Sequence, residues 1–214
     1  MPASTTRADD LRRLLPRSRV WTSRQLAALV YGDTTATATR ECERVLNRLL
    51  ASKCARRTRV FARPTPDLSG GPLLRWEPGG GLLPDVGKIT WRAFARWVEP
   101  PRMQTVWHAG RRLLSHVAQA GDGRLRQPGQ VTHDLCVTQI LTELVSTQAR
   151  GEDAAGWIGE EHLGKLIRGK VPDAVIARPG GLPLAIDFTG SYPADRVERV
   201  MRFYSRLGLP FELW

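Results

Sequence analysis

Apolar and polar positions alternate along this chain with two different periods, and the switches between them mark its elements. Asp9 to Leu15 reads as a short amphipathic helix stopped at Pro16. Thr22, followed three residues later by Gln25, has the form of a capping box, so a second helix is expected to run to about Val30, with Gly32-Asp33 breaking it. From about Thr37 a third helix follows, burying Val45, Leu46, Leu49 and Leu50 and leaving Arg40, Arg44 and Arg48 on its other side. After Ser52 the period shortens. Ala55 to Arg63 and Pro72 to Glu77 read as two strands of a hairpin, separated by a Pro/Asp/Ser/Gly turn.

Gly79-Gly80-Gly81 closes this unit. Beyond it, Lys88 to Trp97 reads as a helix or a strand-helix connector, Pro100-Pro101 interrupts, and Met103 to Ala120 resumes helical spacing through Val106, Leu113, Leu114 and Val117. After a Gly/Asp/Pro loop, Asp134 to about Thr147 forms a strong helix that carries Leu135, Ile140, Leu141, Leu144 and Val145, with Glu143 inside it. The last third is different. Val171 to Arg178 and Leu184 to Phe188 are strand-like runs joined by a Gly180-Gly181 turn. A helix then spans about Pro193 to Leu207, with Pro193 suited to its first position and Gly208 to its end, and Phe211 to Trp214 forms a final strand.

Three helices and a hairpin within the first 80 residues give the order of a winged helix-turn-helix, in which the third helix enters the major groove and the hairpin flanks the backbone. The expected organisation is therefore an α/β chain of α+β type: a winged helix over 1–80, a helical connector over 81–130 and an α/β domain over 131–214. Thr37, Thr39, Arg40, Arg44, Asn47 and Arg48 are the groove candidates, and Arg56, Arg57, Arg59 and Arg63 would serve the wing by touching phosphates. Glu41 and Glu43 dilute the positive field of the same helix.

Charge supports this placement. The 214 residues carry a formal net charge of +11. Residues 1–63 hold 14 Lys and Arg against 5 Asp and Glu, whereas residues 64–214 hold 18 against 16. An Arg-rich genome would make the whole chain basic, but it would not concentrate the excess at one end. Double-stranded DNA is the partner this implies, through phosphate neutralisation, and a homodimer is carried as an allowed assembly. Cys42, Cys54 and Cys136 have neither zinc nor disulfide spacing. The start has no apolar leader and no stretch approaches 18 apolar residues, so the expectation is a cytoplasmic protein without a membrane partner.

The chemistry-bearing residues lie in the last half. Phosphodiester cleavage assisted by Mg²⁺ needs converging carboxylates and a cation that stabilises the developing charge. Glu143 would come from a helix, Asp173 from the start of one strand and Asp187 from the end of the next, with the Gly180-Gly181 turn bringing the two aspartates side by side. These three are the candidate metal ligands, and Glu160 is a rival for the helix acid. His133-Asp134 could donate a base or ligand, or could cap the helix. Tyr192, followed by Arg196 and Arg199, could bind phosphate or act as a nucleophile, or could simply pack at the start of a helix. Trp91, Trp97, Trp107 and Trp157 read as core, with any exposed one able to stack on an unpaired base.

Val171-Pro172-Asp173-Ala174 followed by Ile186-Asp187-Phe188-Thr189 resembles the PD-(D/E)XK nuclease motif. Together with Trp76 to Gly79, Thr132 to Leu135 and the closing Glu212-Leu213-Trp214, the chain is similar over nearly its full length to the replication-relaxation family of mobile-element proteins. The resemblance implies a winged helix joined to a restriction-endonuclease-like domain that nicks, relaxes or otherwise processes plasmid or integrative-element DNA, or serves an accessory role in replication or conjugation, with Asp173, Asp187 and Glu143 as its acids and Mg²⁺ as its cofactor. The chain departs from the motif at Thr189, which stands where a catalytic lysine is expected. Lys170 or Lys165 could bring an ammonium from another element. Three functions therefore stand open: a Mg²⁺-dependent nuclease or relaxase-like DNA processor, a non-catalytic DNA-binding regulator or replication accessory factor on a nuclease-like scaffold, and a protein-interaction module.

Overall fold

The computed structural model describes residues 6–81, 84–115, 125, 128–147, 154–163 and 170–214. Helix and sheet are mixed throughout. The first unit opens with α1 (Arg7–Leu14), a 3₁₀ turn, the two-residue strand β1 (Trp21–Thr22), α2 (Ser23–Tyr31), α3 (Ala36–Ala51) and β2 (Ala55–Ala62). The expected capping box is formed at the start of α2. The Gln25 N–H donates to Thr22 Oγ1 and the Gln25 side chain accepts from the Thr22 N–H, while Gly32, at φ 66°, ends the helix in a left-handed turn. Along α3 the residues Ala38, Cys42, Leu46 and Leu49 are buried at spacings of three and four, which seats the helix on α2 and α1.

The hairpin is not formed as the sequence suggests. β2 pairs antiparallel with β4 (Arg102–Ala109) over its whole length, from Ala55 opposite Ala109 to Ala62 opposite Arg102, and β1 pairs on the other side of β4. Residues 63–101 are therefore an excursion between two strands of one sheet. Within it, β3 (Leu74–Trp76), expected to be the hairpin partner of β2, instead pairs antiparallel with the final strand β8 (Phe211–Leu213).

The helix expected over Met103 to Ala120 is mostly strand. Val106, Trp107, His108 and Ala109 are all buried, because both faces of the central strand are covered, and a run buried on both faces carries no period-two signal. Only Arg111–Leu114 of that segment forms a helix, α5, and residues 116–120 lie outside the described ones. The expected boundary at 80 and the helical connector over 81–130 are thus replaced by interleaving: β3 and α4 (Val86–Ala95) belong with the later elements, whereas β4 belongs with the earlier ones.

The second unit contains α6 (Val131–Ser146), β5 (Trp157–Gly159), the short α7 (Glu160–Leu163), β6 (Ala174–Ile176), β7 (Leu184–Asp187), α8 (Ala194–Arg206) and β8. Its sheet has the order β3-β8-β7-β6-β5; β7 and β8 run parallel across the α8 crossover and the other pairs are antiparallel. Alternation sorts the two faces. Leu184 and Ile186 pack towards Ile140, Leu141 and Leu144 of α6, whereas Ala185, Phe211 and Leu213 pack towards Val197, Val200 and Tyr204 of α8 and Ile89 and Ala93 of α4. Pro193 serves as the N-cap of α8 rather than its first residue.

α6 is buried nearly all round because it is shared between the units. The Gln25 side-chain N–H donates to the Leu135 carbonyl and to Gln139, the Thr138 hydroxyl donates to the Val20 carbonyl, and the Arg63 N–H donates to Thr132 Oγ1. The core runs without a break from α1–α3 through α6 to the sheet. Trp107 and Trp157 are buried as expected. Trp91, in contrast, is 71% exposed, since it lies on the side of α4 away from Ile89 and Ala93. No helix among the described residues is long and apolar enough to cross a membrane.

Candidate nucleic-acid interface and carboxylate cleft

The residues proposed to meet DNA are surface residues of two adjoining elements. Arg40, Arg44, Asn47 and Arg48 are exposed on α3 and Thr39 is half-buried beside them, while Arg56, Arg57 and Arg59 are exposed on β2, the edge strand of its sheet. Arg57 ties the two elements together by donating to Asn47 Oδ1 at 3.4 Å. Glu41, which would weaken the field of α3, is drawn away by an ion pair with Arg7 of α1 at 3.3 Å.

The second site forms where strand ends meet the N-terminus of α6. Asp173 stands just before β6 and Asp187 ends β7, and the antiparallel register sets Ala174 opposite Ile186, so the two carboxylates fall at the same end of adjacent strands. Both line an open cleft of about 420 Å³ together with His133, Asp134, Glu160 and Lys170. The Asp187 side chain points to the α8 face. Its carboxylate accepts from Lys170 Nζ at 2.6 and 2.7 Å and from the Tyr204 hydroxyl, and 1% of the side chain is exposed. His133 Nε2 lies 3.0 Å from Asp173 Oδ1, and the Phe188 N–H donates to Asp173 Oδ2 at 2.7 Å.

Charge is unevenly compensated here. Burial pushes the Asp187 carboxyl up to about 6, and the neighbouring charge of Asp173 adds to this, with Lys170 and Tyr204 opposing. Burial also works against an ionised Asp173, but His133 by charge and hydrogen bond, the Phe188 N–H and Lys170 outweigh it and hold that carboxyl below its usual range. For His133, burial disfavours the cation, yet Asp173, Asp134 and Asp187 prevail and raise its pKa. Burial and Asp187 raise Tyr204, so its phenol remains a donor.

Lys170 reaches Asp187 from the segment before β6, as its position three residues ahead of Asp173 allows. Thr189 is 1% exposed, and both its N–H and its hydroxyl donate to the Trp214 main-chain oxygen, which closes the final strand pair. Glu143 does not join the aspartates. It lies ten residues beyond His133 on α6, about 15 Å along the axis, and lines a different pocket with Gln25 and Gln139, accepting from Gln139 at 2.8 Å. Glu160 does line the carboxylate cleft: its N–H donates to the Asp173 carbonyl at 2.9 Å and its side chain pairs with Arg19 at 3.0 Å. Lys165 lies outside the described residues.

Sequence reasoning missed Tyr204 and Arg19. Tyr204 is one of the inward-facing residues of α8, and nothing in a 3.6-residue period says that its hydroxyl meets a carboxylate. Arg19, next to Val20 and Trp21, faces Asp134 at 3.7 Å as well as Glu160.

No group of three His, Cys, Asp or Glu side chains among the described residues is disposed to hold a metal ion. Mg²⁺ commonly takes only one or two carboxylates and completes its shell with water and substrate phosphate. Asp173 and Asp187, hard oxygen donors whose mutual repulsion raises the Asp187 pKa, fit that demand, and Lys170 is the cation that now meets it. No protein-family model, curated protein or solved structure matches the chain.

Proposed function

We propose that this chain is a DNA-binding protein of plasmid or mobile-element type that processes the phosphodiester backbone, with α3 and β2 as its duplex-binding surface and the Asp173/Asp187/Lys170 cleft as its reacting centre. Support for a winged helix comes from three helices followed by the antiparallel pair β2 and β4, with basic side chains exposed on both α3 and β2. Support for a restriction-endonuclease-like domain comes from the order α6-β5-α7-β6-β7-α8-β8, with one aspartate just before β6 and the other at the end of β7.

The observation that carries the reading is the position of Lys170 Nζ, 2.6 Å from Asp187. An ammonium stands beside the second acid although Thr189 occupies the motif's lysine position. Lys170 can set positive charge against a phosphate drawn into the cleft, and Arg196, whose guanidinium lies 3.7 Å from the Tyr192 ring at the same cleft, can hold an adjacent phosphate. His133, kept towards its protonated form by Asp173, can hold a proton for the leaving oxygen. Mg²⁺ bound by Asp173 and Asp187 would supply Lewis-acid charge at the scissile phosphate.

The non-catalytic reading has its own observation: Thr189 is locked into the strand end and each oxygen of Asp173 and Asp187 already accepts a hydrogen bond or faces a cation. Supercoiled plasmid separates the two. Wild type is expected to convert it to open circles with Mg²⁺ or Mn²⁺ while Asp187→Ala does not. DNA binding without nicking would favour the regulator, and equal nicking by both would remove the cleft from the account.

A further inference from the structure

Beside the carboxylate cleft lies a second one that duplex binding leaves unused. It is open, about 570 Å³, and its walls are aromatic: Phe61 at the end of β2, Phe94 and Trp97 at the end of α4, Phe188 after β7, and His133 and Tyr192. His133, Tyr192 and Gly129 line both clefts, so the two are contiguous. The rings are set at angles. Trp97 and Phe188 meet edge to face at 6.0 Å between centroids, and His133 meets Phe188 at 5.8 Å. Phe61 and Phe94 remain 65% and 50% exposed, apolar area that a buried packing role does not explain.

Cations flank this aromatic surface. The Arg63 guanidinium lies 5.5 Å from the Trp97 ring and that of Arg196 lies 3.7 Å from the Tyr192 ring. The complementary occupant has a flat π face and an anionic group, and the volume is that of a small-molecule site. Stacked bases inside an intact duplex offer neither an open face nor a path into such a cleft.

We infer that the aromatic cleft receives one unpaired nucleotide, its base against Phe61, Phe94 and Trp97 and its phosphate directed past His133 and Tyr192 towards Asp173 and Asp187. The inference rests on the DNA-processing function proposed above and narrows its substrate to DNA with an unpaired base, such as a bulge, gap, flap or single strand.

The test uses the full chain and oligonucleotides carrying 2-aminopurine, either unpaired in a one-nucleotide bulge or paired in the matched duplex. Affinity is read by anisotropy and stacking by 2-aminopurine fluorescence at fixed salt. The bulged DNA is expected to bind about fivefold or more tightly than the duplex, the gain of one stacked base, with its fluorescence quenched. Phe94→Ala, at an exposed rim position, should abolish that preference and leave matched-duplex affinity unchanged, while Trp97→Phe, which keeps a ring, should retain part of it. Equal affinity for both DNAs without quenching, or a preference untouched by Phe94→Ala, overturns the inference while duplex binding stands. Failure to bind either DNA overturns the function on which it rests.

Discussion

Lys170 Nζ bridges the two carboxylate oxygens of Asp187 at 2.6 and 2.7 Å, so that a lysine from before one strand neutralises the acid that ends the next. Lys170→Met keeps the apolar stem and removes the charge, leaving a buried carboxylate beside Asp173. The variant is expected to lose about 3 kcal/mol at pH 8. Because Asp187 would then be protonated to still higher pH, the loss should shrink at pH 5, where the group is largely neutral in both proteins. Thermal melts of both proteins at the two pH values check this.

The His133–Asp173 pair gives stability a second pH dependence. His133 has a folded pKa above its unfolded value, so its contribution is fully present below about 6.5 and is lost as pH rises through the folded pKa. Asp173 has a lowered pKa, so its contribution is lost as pH falls through that value. His133→Gln should therefore melt below wild type at pH 6 by more than at pH 9. A difference that stays constant between pH 6 and pH 9 would contradict the assigned pairing.

Arg44 is exposed on α3 and takes part in no ion pair among the described residues. If α3 lies in the groove, Arg44→Ala should weaken duplex binding and flatten the slope of log K against log salt by about 0.9 for each phosphate that the protein then leaves unneutralised. The same substitution should leave the melting temperature unchanged, because surface substitutions away from specific packing or ion pairs usually shift stability by less than about 0.5 kcal/mol.

Glu212 has no exposed side-chain surface and accepts from the Arg75 Nε–H at 2.6 Å and from the Trp214 indole at 2.9 Å, which joins β3 to β8. Arg75→Met removes the guanidinium donor from that acid inside the sheet and should cost about 2 kcal/mol. Arg75→Met combined with Glu212→Gln should recover part of the loss, since a neutral amide is cheaper to bury than a carboxylate. Denaturant melts of the single and double variants measure both.

What could be read from the sequence depended on how local each signal was. The α2 capping box lies within four residues and was legible; so was the convergence of Asp173 and Asp187, since a tight turn at Gly180 joins their strands. β4 was not, because its partner lies across an excursion of residues 63–101 and its covered faces show an apolar run without alternation. The same distance hid the pairing of β3 with β8. Glu143 looked a plausible third acid because it lies on the right helix, but helix length carries it away from the strand ends, and Glu160 reaches the cleft through its main-chain bond to Asp173. Tyr204 could be assigned to the core by period, but not to Asp187.

The proposed role of Lys170, an ammonium supplied to the cleft in place of a lysine at position 189, is tested by the rate at which Lys170→Met nicks supercoiled plasmid under single-turnover conditions with Mg²⁺ or Mn²⁺. A fall of about a hundredfold or more is expected, with duplex affinity retained and the protein folded at the assay temperature. Nicking by Lys170→Met at the wild-type rate would contradict it.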